Sequence, residues 1–189
     1  MTEERLLIER AQKGDKHAFR ILVEKSKENV FRLAYDLTGN RHDAEDASQE
    51  VFIKAFRSLP KFRFEARFSS WLYRITVNTC RDLFVTGKKN KIGFYDPEMI
   101  QKLTNENSGT TKDLAELSIM KDQIEYAIHQ LTTYERAVFI LRQYHDLQLK
   151  QIAVILKVKE GTVKTLLFRS IKKLQQKLNF YKTEIRLEG

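Results

Sequence analysis

The chain has 189 residues, 34 Lys+Arg against 25 Asp+Glu, a formal net charge of +9 and only 7 Gly and 2 Pro. An apolar share of 42% excludes a disordered tail, and the scarcity of breakers argues against a turn-rich β fold. No apolar run reaches the roughly 18 residues of a membrane span, no apolar signal-peptide core opens the chain, and the single Cys80 forbids an internal disulfide.

Thr2 can cap a first helix through Leu6, Leu7 and Ala11, which Gly14 ends. Asp15 can cap a second, with Phe19, Leu22, Val23, Val30, Phe31, Leu33, Ala34 and Leu37 at helical spacing and Gly39-Asn40 as its stop. Asp43 to Leu59 reads as a third, closed by Pro60, with Ala47, Val51, Ala55 and Leu59 in one stripe. Lys61 to Ser69 reads as a loop carrying Phe62, Phe64 and Phe68. Ser69 or Ser70 then starts a helix with Leu72, Ile75, Thr79 and Leu83 on one face. Residues 88–112 are polar and aperiodic, too many for a tight connection, and read as a flexible linker. Helical pattern resumes at Asp113, with Leu114, Leu117, Met120, Ile124, Ala127, Ile128 and Leu131, and again from Thr133 to about Tyr144. The expectation is an all-α chain of two small domains, 1–87 and 113–189.

Leu149 to Leu178 fits a helix-turn-helix. Ile152, Leu156 and Val158 line its first half, Val163, Leu174 and Leu178 its second, and Ala153 is small enough for a close crossing. Glu160-Gly161-Thr162 can begin the second helix. Its outward positions are Thr162, Lys164, Thr165, Phe168, Arg169, Lys172 and Lys173. Seven basic residues and one acidic one lie between Lys157 and Lys177, a footprint for phosphate contact. A helical hairpin with a solvated basic face would show the same stripe. The turn places Lys157 where a left-handed Gly is usual.

Asp43, Glu45, Asp46 and Glu50 concentrate acid on one helix, with Gln49 and Ile53 on the same outward side. Calcium-type loops carry Gly and alternate spacing, so a metal is not expected. Acid in a first turn favours the helix dipole, which is one reading; the alternative is a docking face for a basic protein. Phe62, Arg63, Phe64 and Phe68, followed by Arg74, Asn78, Arg81 and Asp82, interleave aromatics with cations as single-stranded nucleic acid requires. Aromatics near a helix start are also commonly core. The four His residues, 17, 42, 129 and 145, show no ligand spacing. Glu125 and His129 form only an i,i+4 pair, and no nucleophile-base arrangement is readable, so no catalytic role and no cofactor are expected.

Three stretches in this order carry a resemblance. They are Asp43 to Phe52 with Lys54 to Phe56; Phe62 to Glu65 with Phe68 to Ile75 and Asn78; and Leu131 to Arg142 with Gln151 to Ala153 and Gly161 to Thr165. Together the chain resembles a bacterial RNA polymerase sigma factor of the extracytoplasmic-function group of the sigma-70 superfamily. The resemblance implies a cytoplasmic transcription initiation factor. Asp43, Glu45, Asp46, Gln49, Glu50 and Ile53 would bind the β′ clamp helices of polymerase core, whose β flap is a further expected contact. Phe62, Arg63, Phe64, Phe68, Arg74, Asn78, Arg81 and Asp82 would recognise and melt the −10 element. Thr162, Lys164, Thr165, Phe168, Arg169, Lys172 and Lys173 would read the −35 duplex. An anti-sigma factor is the expected partner. Three departures stand out: Phe64 replaces a common Gly, Thr132 a common Pro, and Leu166 and Ile171 replace Arg in the recognition helix. A helix-turn-helix regulator acting without polymerase is the rival reading. It would leave the acidic helix and aromatic loop unexplained.

Overall fold

The computed structural model describes residues 3–85 and 111–184. The Thr2 cap and nearly all of the expected linker at 88–112 lie outside them, as do the side chains of Leu114 and Leu117. Every regular element among the described residues is helical. The first half contains α1 (Glu3–Gln12), α2 (Lys16–Thr38), α3 (Arg41–Ser58), a 3-10 turn (Leu59–Lys61) and α4 (Phe68–Val85). The second contains α5 (Thr111–His129), α6 (Thr133–Gln143), α7 (Leu149–Leu156) and α8 (Glu160–Glu184).

Local chemistry sets most boundaries. The Asp15 carboxylate accepts from the Ala18 N–H at 3.0 Å and caps α2, whose last turn closes when the Gly39 N–H reaches the Tyr35 carbonyl at 2.7 Å. Gly39 is left-handed, with φ +68°. Asn40, expected to share that stop, instead starts α3 by accepting from the Asp43 N–H at 3.1 Å. The third helix therefore begins before Asp43, because an Asn side chain caps as well as it terminates. Pro60 falls inside the 3-10 turn, and α4 starts at Phe68, ahead of the expected serines. Thr132 supplies what a Pro could not. Its N–H and hydroxyl both donate to the Glu135 carboxylate, at 3.1 and 2.8 Å, and fix the start of α6. Lys157 adopts the left-handed φ 55°, ψ 44° between α7 and α8, at a cost of about 1 kcal/mol.

Two cores form. Leu7, Ile8, Ala11, Leu22, Val30, Val51, Ala55, Leu59, Phe62, Phe68, Trp71 and Leu72 join α1 through α4. The second core crosses between the halves: Leu33, Ala34, Leu37, Val77 and Cys80 pack in one cluster with Ala127, Ile128, Leu131, Val138, Leu141, Ile152 and Ile155. Polar groups pin this junction. His145 sets Nε2 at 2.9 Å from the Asp36 carboxylate and Nδ1 at 3.3 Å from the Tyr73 hydroxyl, with only 5% of its side chain exposed. Arg136 donates to the Leu37 carbonyl at 3.2 Å, placing a cation at the C-terminal end of α2 where the helix dipole favours it. It also donates to the carbonyls of His129 and Leu131.

Burial, helped by the charge of Arg136, pushes His129 down to about 4. In the unfolded chain the same imidazole protonates near pH 6.5. The unfolded state therefore takes up a proton that the folded state refuses, and the neutral His129 costs stability progressively as pH falls from about 6.5 towards 4. Denaturant unfolding of the protein and of His129→Gln at pH 7.5 and pH 5 should show the wild-type chain losing more stability than the variant. Equal losses would contradict this protonation state.

Candidate polymerase and nucleic-acid interfaces

Three surfaces hold the expected residues. On α3 the buried stripe is Ala44, Ala47, Val51 and Ala55. At 100° per residue, Asp46, Gln49 and Ile53 fall on the opposite side. Gln49 and Glu45 are exposed, Ile53 is 45% exposed, and Asp43, Asp46 and Glu50 are half-buried. The acid on this face is partly balanced along the helix. Arg41 pairs with Glu45 at 3.0 Å, His42 stands 3.9 Å from Asp46, and Lys54 stands 3.8 Å from Glu50. Such exposed i,i+4 pairs are worth little, so the face stays available to a cationic partner.

The aromatic loop divides into inward and outward members. Phe62 and Phe68, expected to meet bases, are buried at 8% and 4% exposure and pack with Trp71 at ring-centre separations of 5.1 and 5.5 Å. Both rings join the core of Leu7, Ile8, Leu59, Trp71 and Leu72 where α1, α3 and α4 meet, so the alternate role as core prevails. Arg63 is exposed and Phe64 half-buried. Phe64 has φ 60°, the left-handed conformation that a Gly in this place adopts freely and a Phe adopts at about 1–2 kcal/mol. A cleft of about 250 Å³ opens here, lined by the three cations Lys61, Arg63 and Arg74, one acid, Glu65, and the rings of Phe62 and Trp71, together with Val154 of α7.

On α4, Asn78 is exposed and Arg74 half-buried. Arg81 reaches the Tyr134 hydroxyl on α6 at 3.4 Å and Asp82 at 3.3 Å, and Asp82 stands 4.0 Å from Lys54. The aspartate first, then the tyrosine, raise the Arg81 pKa against its slight desolvation. Cys80 is buried on the far side, and desolvation pushes its thiol up to about 12, far from a reactive thiolate.

Helix α8 buries Val163, Ser170 and Leu174 against α7 and α6. Thr162, Lys164, Thr165, Phe168, Arg169 and Lys172 are exposed, Phe168 at 68%. Lys164 pairs loosely with Glu160 at 3.2 Å, and the Thr165 hydroxyl donates to the Gly161 carbonyl at 3.0 Å. Lys173 differs from its neighbours. Its ammonium donates to both carboxylate oxygens of the buried Glu135, at 2.8 and 2.7 Å. Burial pushes Glu135 up, but the hydrogen bonds from Lys173 and Thr132 outweigh it and hold the carboxyl below its usual range. Lys173 therefore ties α8 to α6 in the free chain. Thr132-x-x-Glu135 has the spacing of a capping box, a signal unused in the sequence reading; nothing in the sequence points to Lys173, 38 residues on.

Among the described residues, no helix is long and apolar enough to cross a membrane. The sequence model described as Sigma-70 region 2 matches residues 22–89, and that described as Sigma-70, region 4 matches residues 121–174. The chain is 34% identical over 179 residues to the ECF RNA polymerase sigma factor SigW of Bacillus subtilis, covering 90% of this chain and 94% of that one. It is 33% identical over 183 residues to the ECF RNA polymerase sigma-E factor of Escherichia coli, covering 93% and 94%. Its similarity to the RNA polymerase sigma-H factor of Pseudomonas aeruginosa is 31% over 173 residues, covering 89% and 90%. Two solved structures share the fold. CnrH in complex with the cytosolic domain of CnrY superposes with TM-score 0.67 at 22% identity, covering 93% of this chain and 97% of that one. The sigma factor RpoE in complex with the anti-sigma factor NepR from Bartonella quintana gives 0.60 at 18% identity, covering 85% and 96%.

Proposed function

We propose how this chain directs transcription from one premise: it belongs to the extracytoplasmic-function group of sigma-70 RNA polymerase sigma factors. It is a non-enzymatic initiation factor that binds RNA polymerase core and gives it promoter specificity. We read its units as residues 1–87 and 113–189, joined by 88–112, of which 111 and 112 already belong to α5. The observation that carries the residue-level reading is the separation of chemistries. An acid-bearing face lies on α3, a cation-rich aromatic cleft beside α4, and a basic exposed face on α8.

The face of Asp43, Glu45, Asp46, Gln49, Glu50 and Ile53 takes the β′ clamp helices by charge complementarity around one apolar contact. Arg63, Phe64, Arg74, Asn78, Arg81 and Asp82 take the −10 element. An unpaired base stacks on a ring while guanidinium groups meet phosphate, offsetting a melting cost of a few kcal/mol per extruded base. Phe62 and Phe68 act there as the packed base of the loop. Thr162, Lys164, Thr165, Phe168, Arg169 and Lys172 enter the −35 major groove, where exposed Phe168 suits a thymine methyl. Lys173 joins them once Glu135 releases it. An anti-sigma factor is the expected regulator; a sigma factor of the same fold is solved with one. The site of action is the cytoplasm, with chromosome and polymerase.

The elements lie about 25 base pairs apart by their labels, ~85 Å of B-form duplex at 3.4 Å per pair. In the free chain, Arg81 of α4 meets Tyr134 of α6, so reading both elements at once requires the halves to part.

In vitro transcription with core polymerase, with start sites mapped across genomic DNA, tests the assignment. Promoter-specific starts are expected; their absence would overturn it. On duplex DNA from a mapped promoter, Arg169→Ala with Lys172→Ala should lower the slope of log K against log salt by about 2, roughly one per lost phosphate contact. An unchanged slope would place the basic face of α8 away from the backbone.

A further inference from the structure

Helix α1 reaches the aromatic loop through two side chains on one face. The Gln12 amide nitrogen donates to the Leu59 carbonyl at 3.1 Å and the Phe62 carbonyl at 2.7 Å. A primary amide has two N–H groups, and both are spent here, one on each end of the single turn that leads from α3 into the loop. Seven residues earlier, two helical turns along the same face, the Arg5 guanidinium lies 4.9 Å from the centre of the Phe64 ring, steered by Glu9 at 2.9 Å. Phe64 is the loop residue held left-handed, and its ring packs 5.1 Å from that of Phe62. Residues 3–12 precede the span matched by the region 2 model, which begins at residue 22.

We propose that α1 is a brace for the aromatic loop and that Gln12 is a positioning residue for promoter melting. By fixing the carbonyls at the loop's entry, Gln12 holds Arg63 and Phe64 in place before DNA arrives, so the ordering cost is met on folding and not on binding. The inference rests on reading this loop as the −10 element site.

Three substitutions separate donation from shape. Gln12→Glu keeps the outline but turns an acceptor toward two carbonyls. Gln12→Met removes the donors without adding charge. Gln12→Lys restores donors on a flexible stem one bond longer. Each is assembled with polymerase core on a promoter identified by start-site mapping. Three quantities are read: co-purification with core, affinity for duplex spanning the −35 element, and permanganate reactivity of unpaired thymines. Gln12→Glu and Gln12→Met should lower the open-complex fraction about tenfold, with core and duplex binding unchanged, and Gln12→Lys should recover most of it. Unchanged opening overturns the proposal. So does loss of all three readouts in step, which marks a general structural role. Arg63→Ala and Phe64→Ala serve as the reference. If these impair opening and the Gln12 variants do not, the brace fails. If neither set does, the reading of the loop fails and the brace with it.

Discussion

Gln49→Ala combined with Asp46→Arg is expected to abolish association with RNA polymerase core while leaving the chain folded. Both residues sit on the side of α3 opposite Ala44, Ala47, Val51 and Ala55, so neither substitution enters the core. Gln49 is exposed and offers an amide at the middle of the face; Asp46 contributes one of its four carboxylates. Placing an Arg there turns attraction into repulsion against a basic partner, a change worth several kcal/mol across an interface. About 4 kcal/mol corresponds to roughly a thousandfold loss of affinity. Co-purification with core is the measurement, with circular dichroism and thermal unfolding as controls. Undiminished co-purification from a folded variant would remove α3 from the polymerase interface.

Gly39→Ala should destabilise the chain by about 2–4 kcal/mol. Gly14→Ala should cost only about 1 kcal/mol. Both glycines have positive φ, +68° and +93°, so both substitutions carry the left-handed penalty. Their surroundings differ. A Cβ at Gly14 meets open space, whereas one at Gly39 collides with the His129 ring of the other half. Overpacking of that kind typically adds 1–3 kcal/mol. The difference between the two variants in denaturant unfolding of the full chain therefore reports how firmly the halves are docked. Equal destabilisation would mean that they stand apart in solution.

The helical frame was largely legible in the residues because it is set by interactions within a few positions. Asp15 caps where a capping carboxylate should, Gly39 ends α2, and Lys157 takes the left-handed turn of the helix-turn-helix. The acidic face of α3 was legible for the same reason: with buried Ala44, Ala47, Val51 and Ala55 fixed by period, the outer face follows. Phe62 and Phe68 were not legible. A Phe beside an Arg reads alike whether it stacks on a base or fills a core, and only the position of α1, α3 and α4 around the loop decides. Lys173 looked like its basic neighbours until Glu135 was seen buried beneath it. Gln12 carried no signal, because its partners are backbone carbonyls 47 and 50 residues away.

The sequence opened as a basic chain with an uneven charge, and by itself it determined the helices, the order of the three surfaces, the family and so the function. Short-range spacing and capping encode the helices and the order of the surfaces; the family and its function are carried by the residue likeness of the three motif stretches. The tertiary structure alone decided which aromatics face outward, which lysine is held back, what braces the loop and how the halves meet. That meeting is made by His145 with Asp36, 109 residues apart, and by Arg136 on the Leu37 carbonyl, 99 residues apart. Pairings at such separations leave no periodic trace; they exist only once both cores have brought the side chains together.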